Sequence, residues 1–283
     1  MKFDIFVDSS ANLTEKMIDD CGIRVISYVC TCDGKEVICY KDGNTFAQSA
    51  KDFYAAMSAG ADVSTSLITQ ERFEAEWEPS LKEGRDVLMF TISSQVSGTN
   101  HQANLAAGAL MKKYPARKIY VADSVNSSLG EGLLAVKAAN LRDMGETLDT
   151  CAKWIENNKW KMNSYFTVSD LKYLRKGGRI SGVTALAGTL LNIKPILKAD
   201  GNGRIVMCGR VKGRRKSVAE LADYYKNYAG FPEGQTAAIC HCDCEDEANA
   251  LADMIRQLGA KDVTVEYYDC LLYTSDAADD LIG

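Results

Sequence analysis

The sequence lacks the features that membrane insertion, nucleic-acid binding and most hydrolytic chemistry require. No uninterrupted apolar stretch reaches the ~18 residues of a membrane span. There is no excess of basic charge: 33 Lys and Arg stand against 38 Asp and Glu, a formal net charge of −5. That balance gives no general attraction to nucleic acid or to an anionic membrane. Histidine is scarce, with His101 and His241 the only two. A serine nucleophile needs a base within hydrogen-bond reach, and no G-x-S-x-G elbow is present, so a serine hydrolase is a weak reading. A secretion signal is missing as well. Met1-Lys2-Phe3-Asp4-Ile5-Phe6-Val7-Asp8 carries Asp4 inside its apolar run and reads as a first strand. Without a signal, the ten cysteines are expected to be reduced thiols in a cytoplasm and not a disulfide framework.

What is present is enough for a large core. The 283 residues leave room for two domains, and 46% hydrophobic with 25% charged residues is ordinary for a soluble globular protein. The organising stretch is Val87 to Thr99: an apolar run ends in Ile92-Ser93-Ser94, followed by Ser97-Gly98-Thr99 and a helical pattern at Ala103, Ala106, Ala107, Leu110 and Met111. Buried strand, tight turn and helix follow from that order. The turn collects hydroxyls and unpaired N–H groups at a helix N-terminus, which suits an anion. Plain N-capping by Ser97 or Thr99 accounts for the same residues.

Recurrence favours a site. Phe3 to Val7 runs into Asp8-Ser9-Ser10, and Lys118 to Ala122 runs into Asp123-Ser124. Ligands of open α/β sheets bind beyond the carboxyl ends of the strands. Between these elements, Thr14 is placed to cap a helix that Gly22 stops, and Ile23 to Val29 reads as a strand. Asp33-Gly34 marks a hairpin within residues 25–42. Phe46 to Met57 reads as a helix and Val63 to Thr69 as a polar stretch, with Ser66 or Thr69 capping the helix through Phe73 and Trp77. Helices over Leu133 to Met144 and Thr147 to Asn157 complete an alternating strand–helix region. The expectation is an α/β domain, residues 1–161, with a parallel sheet flanked by helices.

From about Met162 the pattern changes. Tyr165 to Val168 is a strand, and a short helix through Leu174 precedes the basic turn Arg175-Lys176-Gly177-Gly178-Arg179-Ile180-Ser181. An apolar helix is expected over Val183 to Leu191. Asp200-Gly201 joins two strands, helices are expected over 217–228 and 246–258, and strands over 236–241 and 263–268. This gives an α+β domain over 162–269. Residues 270–283 resemble a translated sequencing adapter and are set aside as a probable non-native tail.

Three other chemistries were weighed. Cys240-His241-Cys242-Asp243-Cys244 is dense in ligand types, but no second Cys/His pair lies at zinc-finger spacing, so no metal is expected. Gly201-Asn202-Gly203 lacks the third glycine of a dinucleotide fingerprint. Gly209 to Ser217, with Arg210 and Arg214, resembles a phosphate loop only loosely. It is either a solvated basic face or a phosphate contact.

Taken in order, Asp8-Ser9-Ser10, Thr65-Ser66, Ile92-Ser93-Ser94 with Ser97-Gly98-Thr99, Asp123-Ser124, Leu174 to Ile180, and Leu191-Asn192-Ile193-Lys194-Pro195-Ile196-Leu197 resemble the DegV family across residues 3 to 269. The resemblance implies a two-domain fatty-acid carrier with the acyl chain in a tunnel between the domains. The carrier would have no catalytic residues or cofactor of its own. It would present the carboxylate to an ATP-dependent fatty acid kinase subunit that makes acyl phosphate for phospholipid synthesis. On this resemblance Thr65, Ser93 and Ser94 take the carboxylate, with Ser97, Gly98, Thr99, Ser9 and Ser124 around them, and Arg179 with Lys176, Arg210 and Arg214 serves the kinase or phosphate. Leu67-Ile68 stands where the family has Gln-Pro, and the family's closing His-Thr-Gly-Pro-Gly turn is missing. A sixteen-carbon tail would bury about fourteen methylenes at ~0.8 kcal/mol each, roughly 11 kcal/mol gross, against ~1.5–3 kcal/mol per hydrogen bond to the carboxylate. The tail would set affinity and the hydroxyls orientation. A carrier or sensor of another small anion, such as a sugar phosphate, is the alternative.

Overall fold

The computed structural model describes residues 3–41, 44–45, 50–180 and 192–268. The expected helix over 183–191, the residues 46–49 ahead of the next helix, and the 270–283 tail lie outside the described residues. In chain order the first region contains β1 (Phe3–Asp8), a 3-10 turn at Ser9–Ala11, α1 (Glu15–Cys21), β2 (Ile23–Ile26), β3 (Val29–Cys32), β4 (Lys35–Ile38), β5 (Tyr40–Lys41), β6 (Asn44–Thr45), α2 (Ala50–Ser58), β7 (Val63–Ser66), α3 (Gln70–Lys82), β8 (Asp86–Thr91), α4 (Thr99–Lys113), β9 (Ile119–Asp123), α5 (Leu129–Asp143) and α6 (Leu148–Asn158). After a 3-10 turn at Lys159–Lys161 come β10 (Tyr165–Thr167), α7 (Lys172–Lys176), β11 (Ile193–Ala199), β12 (Ile205–Lys212), α8 (Arg214–Tyr228), β13 (Thr236–His241), α9 (Glu245–Gln257) and β14 (Asp262–Tyr267).

The central sheet is parallel throughout, in the order β2-β1-β8-β9. Its strands are apolar on both faces, as a sheet covered by helices on each side requires. Successive side chains point to opposite faces. Ile5, Val7, Leu88 and Phe90 therefore pack with Ile18 of α1, Ala135 of α5 and Ile155 of α6. Phe6, Val87 and Met89 pack with Phe53 of α2, Trp77 of α3 and Leu110 of α4 on the other side. Each such fully buried side chain contributes about 1.5–3 kcal/mol. The order places the ends of β1, β8 and β9 next to one another, so their hydroxyl-rich endings share one rim.

Asp33-Gly34 turns the β3–β4 hairpin with φ of 48° and 75°, the pair of left-handed values that a two-residue hairpin turn uses. Two expectations are corrected here. Ile23 to Val29 is not one strand. β2 ends at Ile26, the Tyr28 N–H donates to Ser9 Oγ at 3.1 Å, and the chain leaves the parallel sheet to start β3 in a second one. The polar stretch from Val63 is β7, antiparallel to β3 with Thr65 opposite Cys30. Val63 and Thr65 face inward while Ser66 is exposed, so the alternation was there but hydroxyls masked it.

Beyond residue 161, β10-β11-β12 form an antiparallel sheet. β13 and β14 are parallel and crossed by α9, and they build a core with α8 through Val218, Ile239, Leu251, Ala252 and Val263. Helix α8 begins at Arg214 and not at Ser217, because Gly213, at φ 97°, breaks β12 immediately before it. The two regions form a two-domain mixed α/β fold. Ala238 and Cys240 of β13 pack against the α5 side of the first core, and Val96 packs with Val168, Leu174, Leu197 and Ile205 of the second region.

Candidate functional site: a hydroxyl-lined rim

At the rim, Asp8 is fully buried and gathers donors from three segments. Its Oδ1 accepts the Ser10 N–H at 2.9 Å and, closer still, the Ser10 hydroxyl. Its Oδ2 accepts the Ile92 N–H at 2.9 Å and lies 3.2 Å from the Tyr28 hydroxyl. Tyr28 continues to Thr99 Oγ1 at 2.9 Å, and Thr99 to Ser97 Oγ at 3.0 Å. On the other side Ser10 Oγ is 3.0 Å from Glu131 Oε2 in the first turn of α5. Burial pushes the Asp8 carboxyl up to about 6, held back by its hydrogen bonds from Ser10, Ile92 and Tyr28. Burial, and then the charge of Asp8, push Glu131 well above the usual carboxylate range. Glu131 Oε1 meets no hydrogen-bond partner among the described residues. Ser10 Oγ, with one hydrogen, lies within hydrogen-bond distance of both carboxyls.

The loop after β8 carries the expected serines and also joins the two regions. Ser93 is buried and donates from Oγ to the Gly203 carbonyl at 2.9 Å. Arg204 Nε donates to Gln95 Oε1 at 3.0 Å, and Arg179 Nε to the Val96 carbonyl at 3.0 Å. Two guanidinium groups from the second region therefore lie against this one loop. Ser94 is exposed, and its N–H donates to Asp123 Oδ1 at 3.2 Å. The backbone after β9 is strained: Val125 sits at φ 51° and Ser128 at φ 57°, ψ −147°. For a β-branched residue and a serine these are sparsely populated conformations, of the kind that persist where surrounding structure enforces them.

Among the other expected residues, Ser9 accepts from the Tyr28 N–H, and Ser124 Oγ donates to the Asn126 carbonyl at 3.0 Å. Gly98, and not Ser97 or Thr99, is the N-cap of α4, without a side-chain cap; Ser97 Oγ accepts the Thr99 N–H at 3.2 Å. A Cβ on Gly98 would lie 3.4 Å from Leu67, so the end of β7, with Thr65, approaches the same turn. The basic group is dispersed. Arg179 also donates to the Gly177 carbonyl, and Asp170 accepts the Lys172 N–H. Lys176 pairs with Asp62 at 2.6 Å, Arg214 pairs with Glu247 at 2.6 Å across the start of α9, and Arg210 is exposed on β12. Only Gly213 separates β12, ending at Lys212, from α8, starting at Arg214, so Gly209 to Ser217 contains no loop long enough to wrap a phosphate. Cys240 to Cys244 straddles the end of β13 and the start of α9, and no group of three His, Cys, Asp or Glu with metal-holding geometry occurs among the described residues.

Sequence reasoning did not single out Tyr28 or Glu131. Tyr28 looked like one more aromatic in a strand, and Glu131 like an ordinary acidic residue in a first helical turn. A cavity of about 270 Å³ opens beside the rim, lined by Asp8, Ser9, Leu13, Ile18, Tyr40, Glu266 and other residues. No helix among the described residues is long and apolar enough to cross a membrane.

Fold and rim together define a two-domain mixed α/β protein with a hydroxyl-lined site at the carboxyl ends of its parallel strands. The chain belongs to the DegV family: the family model described as "Uncharacterised protein, DegV family" matches residues 2–274. A DegV domain-containing protein of Clostridium perfringens (strain 13 / Type A) is 36% identical over 267 residues, 94% of this chain and 91% of that one. The structure of a DegV family protein from Thermus thermophilus, described by its fatty acid binding, superimposes with a TM-score of 0.82 at 25% identity, covering 98% of this chain and 97% of that one. A protein from Thermotoga maritima, described as revealing fatty acid binding function, gives a TM-score of 0.79 at 26% identity over 95% of this chain and 92% of that one.

Proposed function

We propose that this protein binds one long-chain fatty acid, with the carboxylate at the rim and the tail in a tunnel between a first domain, residues 1–161, and a second, 162–269. The observation that carries this reading is the pairing of a whole-chain match to structures described as fatty-acid binding with the adjacent hydroxyl-ended strands β1, β8 and β9. Ser94, Ser97 and Thr65 receive the head group, with Ser93, Gly98, Thr99, Ser9 and Ser124 shaping the rim. The protein acts as a cytoplasmic carrier, and an ATP-dependent kinase subunit converts the bound acid to acyl phosphate at a site near Arg179. Ser93 is a hydrogen-bond donor and not a nucleophile in this scheme: its hydroxyl is spent on a main-chain carbonyl. Organic extraction of the purified protein followed by mass spectrometry is expected to yield about one fatty acid per chain. Absence of extracted lipid, together with failure of added fatty acid to bind, refutes the reading.

A further inference from the structure

The rim contains a line of three hydroxyls with a carboxyl at its inner end. Asp8 Oδ2 is 3.2 Å from Tyr28 Oη, Tyr28 Oη is 2.9 Å from Thr99 Oγ1, and Thr99 Oγ1 is 3.0 Å from Ser97 Oγ. Asp8, Tyr28 and Thr99 are all at most 1% exposed, and Ser97 is half-buried at the outer end. Each hydroxyl has one hydrogen, and each link in the line holds one hydrogen. Tyr28 is also within hydrogen-bond reach of Ser97 itself; along the Asp8–Tyr28–Thr99–Ser97 line the hydrogens point the same way. With Asp8 ionised and acceptor-only, Tyr28 donates to Asp8, Thr99 to Tyr28 and Ser97 to Thr99, which leaves Ser97 offering a lone pair outward. With a proton on Asp8 Oδ2, every bond reverses and Ser97 offers its hydrogen outward.

We propose that Asp8 is a positioning residue whose proton sets the direction of the Tyr28–Thr99–Ser97 chain, and so sets whether Ser97 donates to or accepts from the ligand head group. This rests on the reading of the rim as the site for an acyl head group. An anionic head group needs donors, so its binding draws one proton onto Asp8. The other titratable groups around Asp8 are Glu131 on α5, reached through Ser10, Tyr28 ahead of β3, and Asp123 at the end of β9, which acts on Glu131. Glu15 and Lys16 on α1 and Glu266 and Tyr267 on β14 line the adjoining cavity. The segment just after β8 contributes the Ile92 N–H.

The test is calorimetric titration of the delipidated protein with a long-chain alkanesulfonate, which stays anionic at every pH used, beside the matching fatty acid. Above about 6 the sulfonate affinity is expected to fall about tenfold per pH unit, the slope of a single linked proton. Heats measured in two buffers of different ionisation enthalpy are expected to show about one proton taken up per ligand. Tyr28→Phe cuts the chain while keeping the ring, and is expected to abolish both the slope and the proton uptake. A pH-independent wild-type affinity, no proton uptake, or an unchanged slope in Tyr28→Phe overturns this inference while leaving fatty-acid binding in place. Failure of the wild type to bind the fatty acid at any pH overturns the binding reading and this inference with it.

Discussion

Gly203 offers the sharpest test of how the two regions meet. It lies in the β11–β12 turn at φ 87°, and a Cβ built there would sit 2.3 Å from Ser93 Oγ, 3.2 Å from Val125 Cα and 3.3 Å from Ser93 Cβ. Gly203→Ala therefore incurs two costs. Holding an L-residue at that φ costs about 1–2 kcal/mol. The Ser93 hydroxyl must also swing away from the Gly203 carbonyl, losing a buried hydrogen bond with a penalty of about 1–2 kcal/mol. Together these give roughly 2–4 kcal/mol, or a melting temperature lower by about 3–7 °C for a chain of this size. Ser93→Ala alone loses only the bond and is expected to cost about 1–2 kcal/mol. In the double variant the 2.3 Å contact no longer exists. Its cost should then fall short of the sum by about 1 kcal/mol, measured as a double-mutant cycle in urea unfolding. A Gly203→Ala protein within about 0.5 kcal/mol of wild type, or a strictly additive pair, refutes this account of the joint.

Two further outcomes follow from the charged groups. Arg179→Ala removes the donors to the Val96 and Gly177 carbonyls and is expected to cost about 1.5–3 kcal/mol, read as a melting point several degrees lower. An unchanged melting point with at least about tenfold weaker acyl-phosphate formation would instead make Arg179 a docking residue alone. Glu131→Gln is expected to flatten the stability–pH curve. Both buried carboxyls are raised in the fold, so the stability they contribute is complete below their ordinary values and is lost as pH rises through the folded ones. Asp8, moved from 3.8 to about 6, accounts for about 3 kcal/mol of that loss. Glutamine at 131 still donates to Ser10 but cannot ionise, so urea unfolding from acid to neutral pH should leave only the Asp8 share; an unchanged curve would show Glu131 to be uninvolved.

The parts of the fold legible in the sequence were those set by periodicity and punctuation. The double-sided apolar strands, the Asp33-Gly34 hairpin and the Thr14 and Thr69 caps all stand where their local chemistry puts them. The rim was legible because strand ends carry ligands in parallel sheets. What was not legible depends on contacts distant in sequence. β7 is a strand because β3 pairs with it, and no local pattern in Val63-Ser64-Thr65-Ser66 outweighs its hydroxyls. Arg214, in a basic run that reads equally as a solvated face or a phosphate contact, pairs with Glu247 on another helix. Glu131 became part of the rim only because Ser10, 121 residues earlier, lies against it.

The same long-range contacts sort the rim hydroxyls by what they can still do. A hydroxyl has one hydrogen, and a carboxylate ligand needs it. Ser124 has committed its hydrogen to the Asn126 carbonyl, and Ser93 has committed its own to Gly203. Ser10 directs its hydroxyl inward, between Asp8 and Glu131. Ser9 uses a lone pair to fix the Tyr28 main chain, which holds the ring against Asp8 and Thr99. Ser93 and Ser124 thus build the rim with their hydrogens on main-chain carbonyls, whereas Ser9 only accepts and lies beside the cavity. Ser94 is exposed at the loop apex, and Ser97 ends the hydroxyl line with a hydrogen whose direction is not fixed by a main-chain acceptor. A row of serines that the sequence presents as equivalent thus divides into a buried frame, which sets the geometry of the loop, and an outer pair, exposed Ser94 and half-buried Ser97.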